Sequence, residues 1–502
     1  MNMTFWVWLS VGIYIALGMA IAIAARRHLG AGMNEFFLGN RRVGGFVSAM
    51  TYAATTYSAF MMIGLAGLTY KSGVGALGFE LTYLCGLFLV AFFGPRFWLV
   101  GRKFDYLTHA ELLADRYQSK AVGVTACALC FIFLVPYAAI QIMGIGYLVA
   151  GLSKGAIPLI AGMIVAIVLG IAWSNIAGLR SVAWTDAFQA LVMVGTSLAV
   201  LLVVVQAGFG GFGDFFARMN SDIPDLLTVP TGKGLWNVNM FIGLALPWLF
   251  FSLSNPQVTQ RLFIPKSVTA FKQMIGGFLI FGFIYTLISV LWGFAARLLV
   301  PGLENADMTT PTLLAMPIVP MALALLVMVG IMAAAISTID SILLTLSSMW
   351  ARDVHKSIIN PRISGARELA ISRKCVIPII AIISFVFAWW AAGKTGLAFM
   401  IAPLSSAASA GLLMAVPTII AAFFWRRATA AGALSSMIVG AIIVLVLQVI
   451  NFKPLGLWPA VWGAIACVIL FVAVSLLTKP PLEKANEFMG YLQGELQKGN
   501  FV

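Results

Sequence analysis

The sequence predicts an all-α polytopic membrane protein with about thirteen transmembrane helices. Hydrophobic residues make up 61% and charged residues 10% of the 502 residues, whereas soluble domains carry about 25% charged residues. The apolar residues are gathered in stretches of roughly twenty or more, the length that crosses a bilayer as a helix. In chain order, the predicted spans are 5–25, 43–70, 73–99, 121–152, 156–175, 183–207, 236–258, 273–300, 313–350, 375–393, 396–425, 429–451 and 455–477.

The Lys and Arg residues between these spans predict the orientation. With the N-terminus outside and the C-terminus in the cytoplasm, 24 of the 31 Lys and Arg residues fall in cytoplasmic connections. Because cytoplasmic loops carry the excess of positive charge, this split supports both the number of spans and their direction. The first span is followed by Arg26-Arg27-His28 and preceded by no basic residue, the reverse of a signal peptide. We therefore expect a retained helix in a bacterial or archaeal cytoplasmic (inner) membrane.

The distribution of charged and cysteine residues argues against several classes of function. A net charge of +14 would otherwise indicate nucleic-acid binding, but these cations lie in short loops and not on one face of a soluble domain. Cys127 and Cys130 lie within an apolar stretch, where helix packing explains their spacing better than redox or metal chemistry. The sequence has no phosphate-binding loop, His/Cys metal cluster or nucleophile elbow. We expect neither an enzyme nor an organic cofactor.

Two of the predicted spans contain residues that interrupt a helix. In span 43–70, the stretch 51–58 (TYAATTYS) is polar and rich in β-branched residues, which weakens a helix. In span 236–258, Pro247 and Pro256 each remove a backbone hydrogen bond. The two spans are five apart and therefore run in opposite directions. Such paired interruptions are typical of a transporter binding site near the bilayer midplane, and simple packing kinks are the alternative.

Charged residues inside membrane spans mark function, because burying one costs about 2.5–3.5 kcal/mol at a helix centre. Among the acidic residues, Glu80, Asp186 and Asp340 fall within or at the ends of predicted spans. We expect Glu80 to hydrogen bond between helices, with a role in transport as the alternative. The sequence places no Lys or Arg at the middle of a span, which excludes a voltage sensor.

Four short stretches resemble the motifs of the sodium:solute symporters, the carriers of proline, pantothenate, monocarboxylates, sialic acid and sugars. Residues 177–189 (AGLRSVAWTDAFQ) resemble the signature G-G-x-x-A-V-x-x-T-D-x-x-Q, with Ala177 in place of the first glycine. Residues 334–341 (AAISTIDS) look like the element A-x-M-S-T-x-x-S, with isoleucine in place of methionine. Residues 34–41 and 255–261 are similar to the motifs E-Y-F-L-G-x-R and Q-P-H-x-x-x-R.

This resemblance implies a LeuT-type core of ten helices in two inverted repeats of five. One extra helix would precede the core and two would follow it. The implied organisation is an N-terminal helix and loop, the first repeat, an extracellular loop, the second repeat, two C-terminal helices and a cytoplasmic tail. The corresponding boundaries are 1–42, 43–207, 208–235, 236–425, 426–478 and 479–502.

The resemblance also implies a sodium site between the break in the first repeat helix and the eighth core helix. Neutral oxygen ligands suit an ion that must also be released. The implied ligands are backbone carbonyls and two side-chain hydroxyls, from Ala54, Tyr57, Ala334, Ser337 and Thr338. The alternative for the hydroxyls is an ordinary hydrogen bond to the carbonyl four residues earlier.

A second group of polar residues, Asp186, Asp340 and Ser341, offers candidates for a second sodium site or an exit path. Asp186 matches the acid of the family signature, so it is a candidate second sodium ligand or exit-path residue. A structural partnership with Arg180 or a helix end is the alternative. Asp340, beside Ser341, would either strengthen a second sodium site with Asp186 or take up a proton.

The candidate solute contacts are polar or aromatic residues on the core helices. Because the sequence suggests no cation at mid-membrane, a carboxylate would be held by helix N-termini and hydroxyls. Trp248, beside Pro247, either walls the pocket or packs in the core. The candidates are Thr55, Thr56, Ser58, Gln141, Trp248, Ser252, Ser405 and Ser406.

The sequence thus predicts a sodium-coupled symporter that imports a small organic solute by alternating access. The expected solute is a carboxylate or amino acid such as a monocarboxylate, pantothenate or proline. The alternatives are a proton-coupled symporter that uses Asp340 or Glu80, and a transporter-like nutrient sensor, against which the short tail 479–502 counts. The expected partners are sodium ions, the solute and the lipid bilayer. Nucleic acid is not expected, and no oligomer is required.

Overall fold

The computed structural model describes residues 3–26, 32–176, 178–229, 236–394 and 396–498. Within these ranges, the regular elements are all helical apart from an isolated bridge between Val43 and Pro265. The predicted all-α fold is confirmed. Three residues used in the sequence argument lie outside the described residues, namely Arg27, His28 and Ala177.

The α-helices of the described chain follow one another with short connections. The first half contains α1 (Met3–Arg26), α2 (Met33–Leu38), α3 (Gly45–Thr56), α4 (Ala66–Ser72), α5 (Gly75–Cys85), α6 (Leu87–Lys103), α7 (His109–Arg116), α8 (Lys120–Leu152), α9 (Leu159–Ile176), α10 (Gly178–Phe209) and α11 (Phe212–Asp222). The second half contains α12 (Val238–Leu249), α13 (Phe251–Ser254), α14 (Pro256–Thr259), α15 (Val268–Leu299), α16 (Thr309–Leu314), α17 (Met321–Met349), α18 (Gly365–Ile371), α19 (Ile377–Ala392), α20 (Ile401–Leu412), α21 (Val416–Phe424), α22 (Ala430–Val449), α23 (Pro459–Leu477) and α24 (Leu482–Gln497). Turns of 3₁₀ or π-helix lie at Gly39–Arg41, Phe60–Leu65, Pro224–Leu227, Gln260–Phe263, Ala306–Met308, Trp350–Ile359, Ser372–Val376, Leu397–Phe399, Leu413–Ala415 and Pro454–Gly456.

Eleven helical stretches of the described chain are long and apolar enough to cross a membrane. The predicted spans that are not among them, 43–70 and 236–258, are the two in which the sequence predicted an interruption. Each is divided in the structure into shorter helices. The total of thirteen spans counts each interrupted helix as one crossing and stays a prediction.

The first interruption lies between α3 and α4. α3 ends at Thr56, and Tyr57 has an extended backbone with φ −92° and ψ 93°. The Ser58 hydroxyl accepts a hydrogen bond of 3.3 Å from the amide of Phe60, where a π-helical turn resumes the helix. The break leaves backbone groups without their helical partners, and the Ser58 hydroxyl provides a partner for the Phe60 amide. Such a partner is needed because the interior of a membrane offers no water to bond with these groups.

The second interruption follows α12, which contains Pro247 and ends at Leu249. The short helix α13 follows, and Asn255 then has an extended backbone with φ −90° and ψ 112°. Pro256 occupies the first turn of α14, where its missing N–H removes no helical hydrogen bond. Both interruptions therefore occur where the polar residues and prolines predicted them.

The packing of the bundle places the first interruption near its centre. α3 packs against α10, α15 and α17, and the π-helical turn 60–65 touches α8, α15 and α20. α12 packs against α5 and α20, and α14 reaches α3. The end of α3 therefore faces α17 in one direction and the second interrupted helix in another.

Arg261 departs from the sequence interpretation, which placed it in a cytoplasmic connection. Its side chain is buried, with 1% of the residue exposed. The guanidinium donates hydrogen bonds to the hydroxyls of Thr55 (3.2 Å) and Ser341 (2.6 Å). The helix stops early at Asn255, and the turn that follows folds into the bundle instead of into solvent. Arg261 thus adds a buried cation among the core helices, which the sequence interpretation did not anticipate.

A buried acid in the connection between α15 and α17 fixes the start of α20. The Asp307 carboxylate accepts a hydrogen bond of 3.0 Å from the amide of Ile401, the first residue of α20. Helix N-termini carry unsatisfied amides and a partial positive charge, so a carboxylate there is stabilising. The same connection lies against α4, where a Cβ added at Gly67 would be 2.5 Å from the carbonyl oxygen of Ala306.

We expect Asp307 to contribute to the pH dependence of stability. Burial raises the pKa of this carboxyl to about 7, while the Ile401 amide and the charge of Lys71 act in the opposite direction. Since the folded protein then binds this proton more tightly than the unfolded chain, the contribution favours folding at low pH and declines as the pH rises to about 7. Asp307→Asn keeps an acceptor for the amide and removes the titrating charge.

Between about pH 5 and 7.5, the melting temperature of Asp307→Asn should decline less than that of the wild type. The matched control is Asp214→Asn, an exposed acid whose replacement should leave the wild-type profile in place. Parallel pH profiles for the wild type and Asp307→Asn would contradict this role of Asp307.

Candidate ion and solute sites

Four oxygen atoms converge where the end of α3 meets α17. The Thr338 hydroxyl on α17 donates to the carbonyls of Ala54 (3.1 Å) and Ala334 (3.1 Å) and lies 3.4 Å from that of Thr55. The bond to Ala334 is the i−4 contact that threonine commonly makes in membrane helices. The contact with Ala54 joins two helices, which a packing role alone does not require.

Tyr57 and Ser337, the other predicted sodium ligands, flank this cluster. The extended backbone of Tyr57 takes its carbonyl out of the regular helical ladder, and its ring stacks on Phe278 with centroids 5.2 Å apart. The Ser337 hydroxyl donates to the Asp186 carboxylate at 2.6 Å. Ala54, Ala334 and Thr338 are thus in direct contact, whereas Ser337 points to Asp186.

Asp186 joins α10 to both α3 and α17. Its second carboxylate oxygen accepts a hydrogen bond of 2.6 Å from the Thr51 hydroxyl on α3, and the residue is 1% exposed. The two hydroxyl donors offset part of the free energy of burying this acid in the bundle. The alternative partner that the sequence suggested, the side chain of Arg180, lies outside the described residues.

Asp340 and Ser341 point to different neighbours. The Asp340 carboxylate accepts a hydrogen bond of 2.9 Å from the Ser174 hydroxyl on α9. The Ser341 hydroxyl lies 3.2 Å from that of Thr55 and accepts from Arg261. The two candidates for a second ion site therefore lie on separate faces of α17.

On another side of the break, a small cavity lies between the two interrupted helices and α5. It is a narrow gap between packed side chains, with about 170 Å³ of space between atoms and no room for a water molecule. Glu80 forms part of the wall, and one of its carboxylate oxygens accepts a hydrogen bond of 2.9 Å from the indole N–H of Trp248. The residues that line the cavity are Thr56, Tyr57, Phe60, Glu80, Tyr83, Trp248 and Phe251.

Two of the predicted solute contacts, Thr56 and Trp248, line this cavity. Ser252 accepts a hydrogen bond of 3.0 Å from the Tyr52 hydroxyl, so its side chain joins the two interrupted helices. Neither amide atom of Gln141 has a hydrogen-bond partner among the described residues, although the residue is fully buried.

The remaining solute candidates have structural partners. Thr55 belongs to the Arg261 cluster, and Ser58 accepts from the backbone in the break. The Ser405 hydroxyl bonds back to Ala402, and that of Ser406 reaches the Leu244 carbonyl on α12.

The sequence interpretation missed the positions of two charged residues. Glu80 does join two helices as predicted, through Trp248, but it also faces the cavity. Arg261 joins the polar cluster beside the ion candidates. The proline at position 256 was the available signal for Arg261, because a helix that restarts there extends the buried chain past the predicted end of the span.

Helices interrupted beside a polar cluster define the class of this protein as a secondary transporter. The chain belongs to the sodium:solute symporter family, whose model matches residues 36–440. The family and the fold are those of transporters and not of enzymes.

Similar proteins include two bacterial symporters. The sodium/pantothenate symporter of Escherichia coli (strain K12) is 26% identical over 464 residues, covering 91% of this chain and 93% of that protein. The high-affinity proline transporter PutP of Bacillus subtilis (strain 168) is 25% identical over 473 residues, covering 91% of this chain and 95% of that protein. The protein is a multi-pass membrane protein with bacterial relatives.

Solved structures share the fold. A sodium-coupled sialic acid symporter in a substrate-bound, outward-open state matches with a TM-score of 0.79 at 20% identity, covering 94% of this chain and 98% of that chain. Mhp1, a nucleobase-cation-symport-1 family transporter, matches in a closed conformation with a TM-score of 0.57 at 14% identity, covering 91% of this chain and 98% of that chain. The LeuT-type fold implied by the sequence motifs is confirmed.

Replacing Asp186 by asparagine should weaken the response to sodium more than it weakens the fold. Asp186→Asn keeps the size of the side chain and one oxygen acceptor but removes the charge that faces Ser337. We expect the stabilisation of the purified protein by sodium, measured as a rise in melting temperature over potassium, to fall severely. The melting temperature in potassium should change little.

Thr51→Val is the matched control, because it removes the second hydrogen bond to Asp186 and leaves the charge. This variant should keep most of the sodium response. A wild-type sodium response in Asp186→Asn would exclude the carboxylate from the ion path, and equal losses in potassium and sodium would assign it a structural role.

Proposed function

We propose that this protein is a sodium-coupled symporter that imports a small organic solute by alternating access. The solute is a carboxylate or an amino acid, such as a monocarboxylate, pantothenate or proline. The observation that carries the proposal is that the end of α3, residues 54–57, takes part in both the Thr338 oxygen cluster and the aromatic cavity.

In the proposed ion site, sodium is bound by the carbonyls of Ala54, Tyr57 and Ala334 and by the hydroxyls of Ser337 and Thr338. The contacts of Thr338 support this set, because its hydroxyl already lies 3.1 Å from two of the carbonyls. The Thr338 hydroxyl would keep its proton and coordinate sodium through its oxygen, beside the same carbonyls. Ser337 would join the set by turning its hydroxyl from Asp186 to the ion.

Coupling follows from the shared break. An ion that holds the end of α3 against α17 also fixes Thr56 and Tyr57, which form part of the cavity wall. The solute then binds to a cavity wall that sodium has already ordered, so sodium raises the affinity for the solute. Thermodynamic linkage requires the solute to raise the affinity for sodium by the same factor. The membrane potential contributes about 2.3 kcal/mol per charge per 100 mV to inward movement of the ion.

Asp186 is proposed as the exit path or as part of a second sodium site, because its carboxylate bonds to Ser337 at the edge of the first site. Asp340 and Ser341 are the further candidates for that second site. The buried carboxyls Asp340 and Glu80 also support one rival mechanism, in which a proton replaces sodium as the coupling ion.

The family membership and the relatives named as pantothenate and proline symporters support both the ion and the range of solutes. The bacterial relatives likewise support a cytoplasmic (inner) membrane location. We propose that the N-terminus is outside and the C-terminus cytoplasmic, on the charge distribution of the connections.

The hydroxyls of α17 provide the test of the ion site. Ser337→Ala and Thr338→Ala each remove one proposed ligand, and a hydrogen bond to a charged group contributes about 1.5–3 kcal/mol. The sodium concentration that gives half-maximal stabilisation of the purified protein should therefore rise at least tenfold in each variant. The matched control is Ser347→Ala on the same helix, whose hydroxyl bonds back to the Leu344 carbonyl at 3.0 Å.

Unchanged sodium dependence in both Ser337→Ala and Thr338→Ala would contradict the ion site. In proteoliposomes of the wild-type protein, an inward sodium gradient should drive solute accumulation that varies little between about pH 6 and 8, because the proposed ligands do not titrate in this range. Accumulation in potassium buffer with a proton gradient alone would favour the proton-coupled mechanism instead.

A further inference from the structure

Glu80 places a buried carboxylate in the wall of the cavity between the two interrupted helices. The residue is 1% exposed, and its described hydrogen bond is the one it accepts from Trp248 at 2.9 Å. A charged side chain within a membrane span costs about 2.5–3.5 kcal/mol and is found where it pairs with another group. The indole N–H is a neutral donor, so it compensates only part of the desolvation of a carboxylate.

Aromatic rings form most of the wall around this carboxylate. The Trp248 ring lies 4.9 Å from that of Phe60 and 5.0 Å from that of Phe251, and it stacks on Phe79 at 5.1 Å. Tyr83 continues the cluster, 5.4 Å from Phe251. Rings of this kind attract cations through the negative charge of their faces, most strongly where water is excluded. The described residues that line the cavity include no Lys, Arg or His.

We propose that the transported solute carries an ammonium group, held between the Glu80 carboxylate and the aromatic faces of the cavity. This inference rests on the proposed function and narrows its solute class to amines, quaternary ammonium compounds and amino acids. Solutes whose only charge is negative have no group that could pair with the Glu80 carboxylate.

The buried amide of Gln141 supplies a donor for the other end of a zwitterion. Gln141 lies on α8 with Tyr137 one turn before it, whose ring contacts Phe251 at 5.7 Å. Gly144, on the same face, packs against Ala59, with an added Cβ 2.7 Å from the Cβ of that residue. Gln141 thus faces the break in the first interrupted helix, and its amide has no hydrogen-bond partner among the described residues. A solute carboxylate at this position would also lie near the start of the resumed helix at Phe60, where the helix dipole favours negative charge.

The test compares pairs of probes that differ in the charged nitrogen. L-Proline is compared with tetrahydro-2-furoate, which has an ether oxygen in place of the amine, and choline with 3,3-dimethyl-1-butanol, which has carbon in place of the quaternary nitrogen. Pantothenate and pyruvate represent solutes with negative charge alone. Binding to the full-length purified protein is measured by calorimetry in sodium and in potassium.

At least one ammonium probe should bind in sodium, and its nitrogen-free partner should bind at least tenfold more weakly. Glu80→Gln keeps an oxygen acceptor for Trp248 and should reduce the affinity for the ammonium probe at least tenfold. Glu304→Gln is the matched control on an exposed loop acid and should bind like the wild type. Trp248→Phe keeps a ring and removes the indole donor, so it should retain the preference for the ammonium probe.

Sodium-dependent binding of pantothenate or pyruvate without binding of any ammonium probe would overturn this inference and leave the proposed function in place. Equal affinity of the wild type and Glu80→Gln for an ammonium probe would overturn the assignment to Glu80. If calorimetry detects binding of neither sodium nor any probe, both this inference and the proposed function fail.

Discussion

The structure depends on how two helices can stop in the interior of a membrane protein. A backbone group without a hydrogen-bond partner costs several kcal/mol in hydrocarbon, so interrupted helices persist only where other groups satisfy the released amides and carbonyls. Here the first break is satisfied by the Ser58 hydroxyl and by Thr338, which bonds to the Ala54 carbonyl from the neighbouring helix. The Ala54 carbonyl and the Thr338 hydroxyl, which meet at this break, are also two of the proposed sodium ligands.

Two charged groups, Asp186 and Arg261, lie beside that break. Asp186 accepts bonds from Thr51 on α3 and Ser337 on α17, and Arg261 donates to Thr55 and Ser341 on the same two helices. An acidic and a basic side chain therefore each join α3 to α17, one helical turn apart. A change in the position of α3 relative to α17 must alter both sets of contacts together. In the proposed mechanism, this pair of helices is the element whose position the ion biases.

Much of the fold could be predicted from the sequence, because membrane-length apolar stretches and positive charge in alternate connections are strong signals. The two breaks were also predictable from the polar run at 51–58 and from Pro247 and Pro256. Motif resemblance supplied Ala54, Ala334 and Thr338, which the structure brings into contact. Periodicity alone would not have selected them, since serine and threonine are frequent in packed membrane helices.

The parts that could not be predicted depend on tertiary placement. The apolar run of the predicted span ends at residue 258, so the sequence argument placed Arg261 in a loop. In the structure the helix restarts after Asn255 and stays within the bundle. Glu80 lies on a helix that is apolar on several faces, and no sequence pattern showed that this face borders a cavity. Ser337 and Asp340 are three residues apart, but they bond to different helices, and that depends on how α9 and α10 pack on α17. Short polar motifs therefore indicated the neighbourhood of the site but not the partner of each side chain.

The central claim is that one break couples ion binding to solute binding, and reciprocal affinities test it most directly. Calorimetry on the purified protein gives the solute affinity with and without saturating sodium, and the sodium affinity with and without saturating solute. Linkage requires the two factors to be equal, and typical coupling free energies of about 1–3 kcal/mol correspond to factors of roughly 5 to 150. We expect both factors to lie in this range and to agree. A solute affinity that is the same in sodium and potassium would contradict the account, whatever the affinity of the protein for sodium alone.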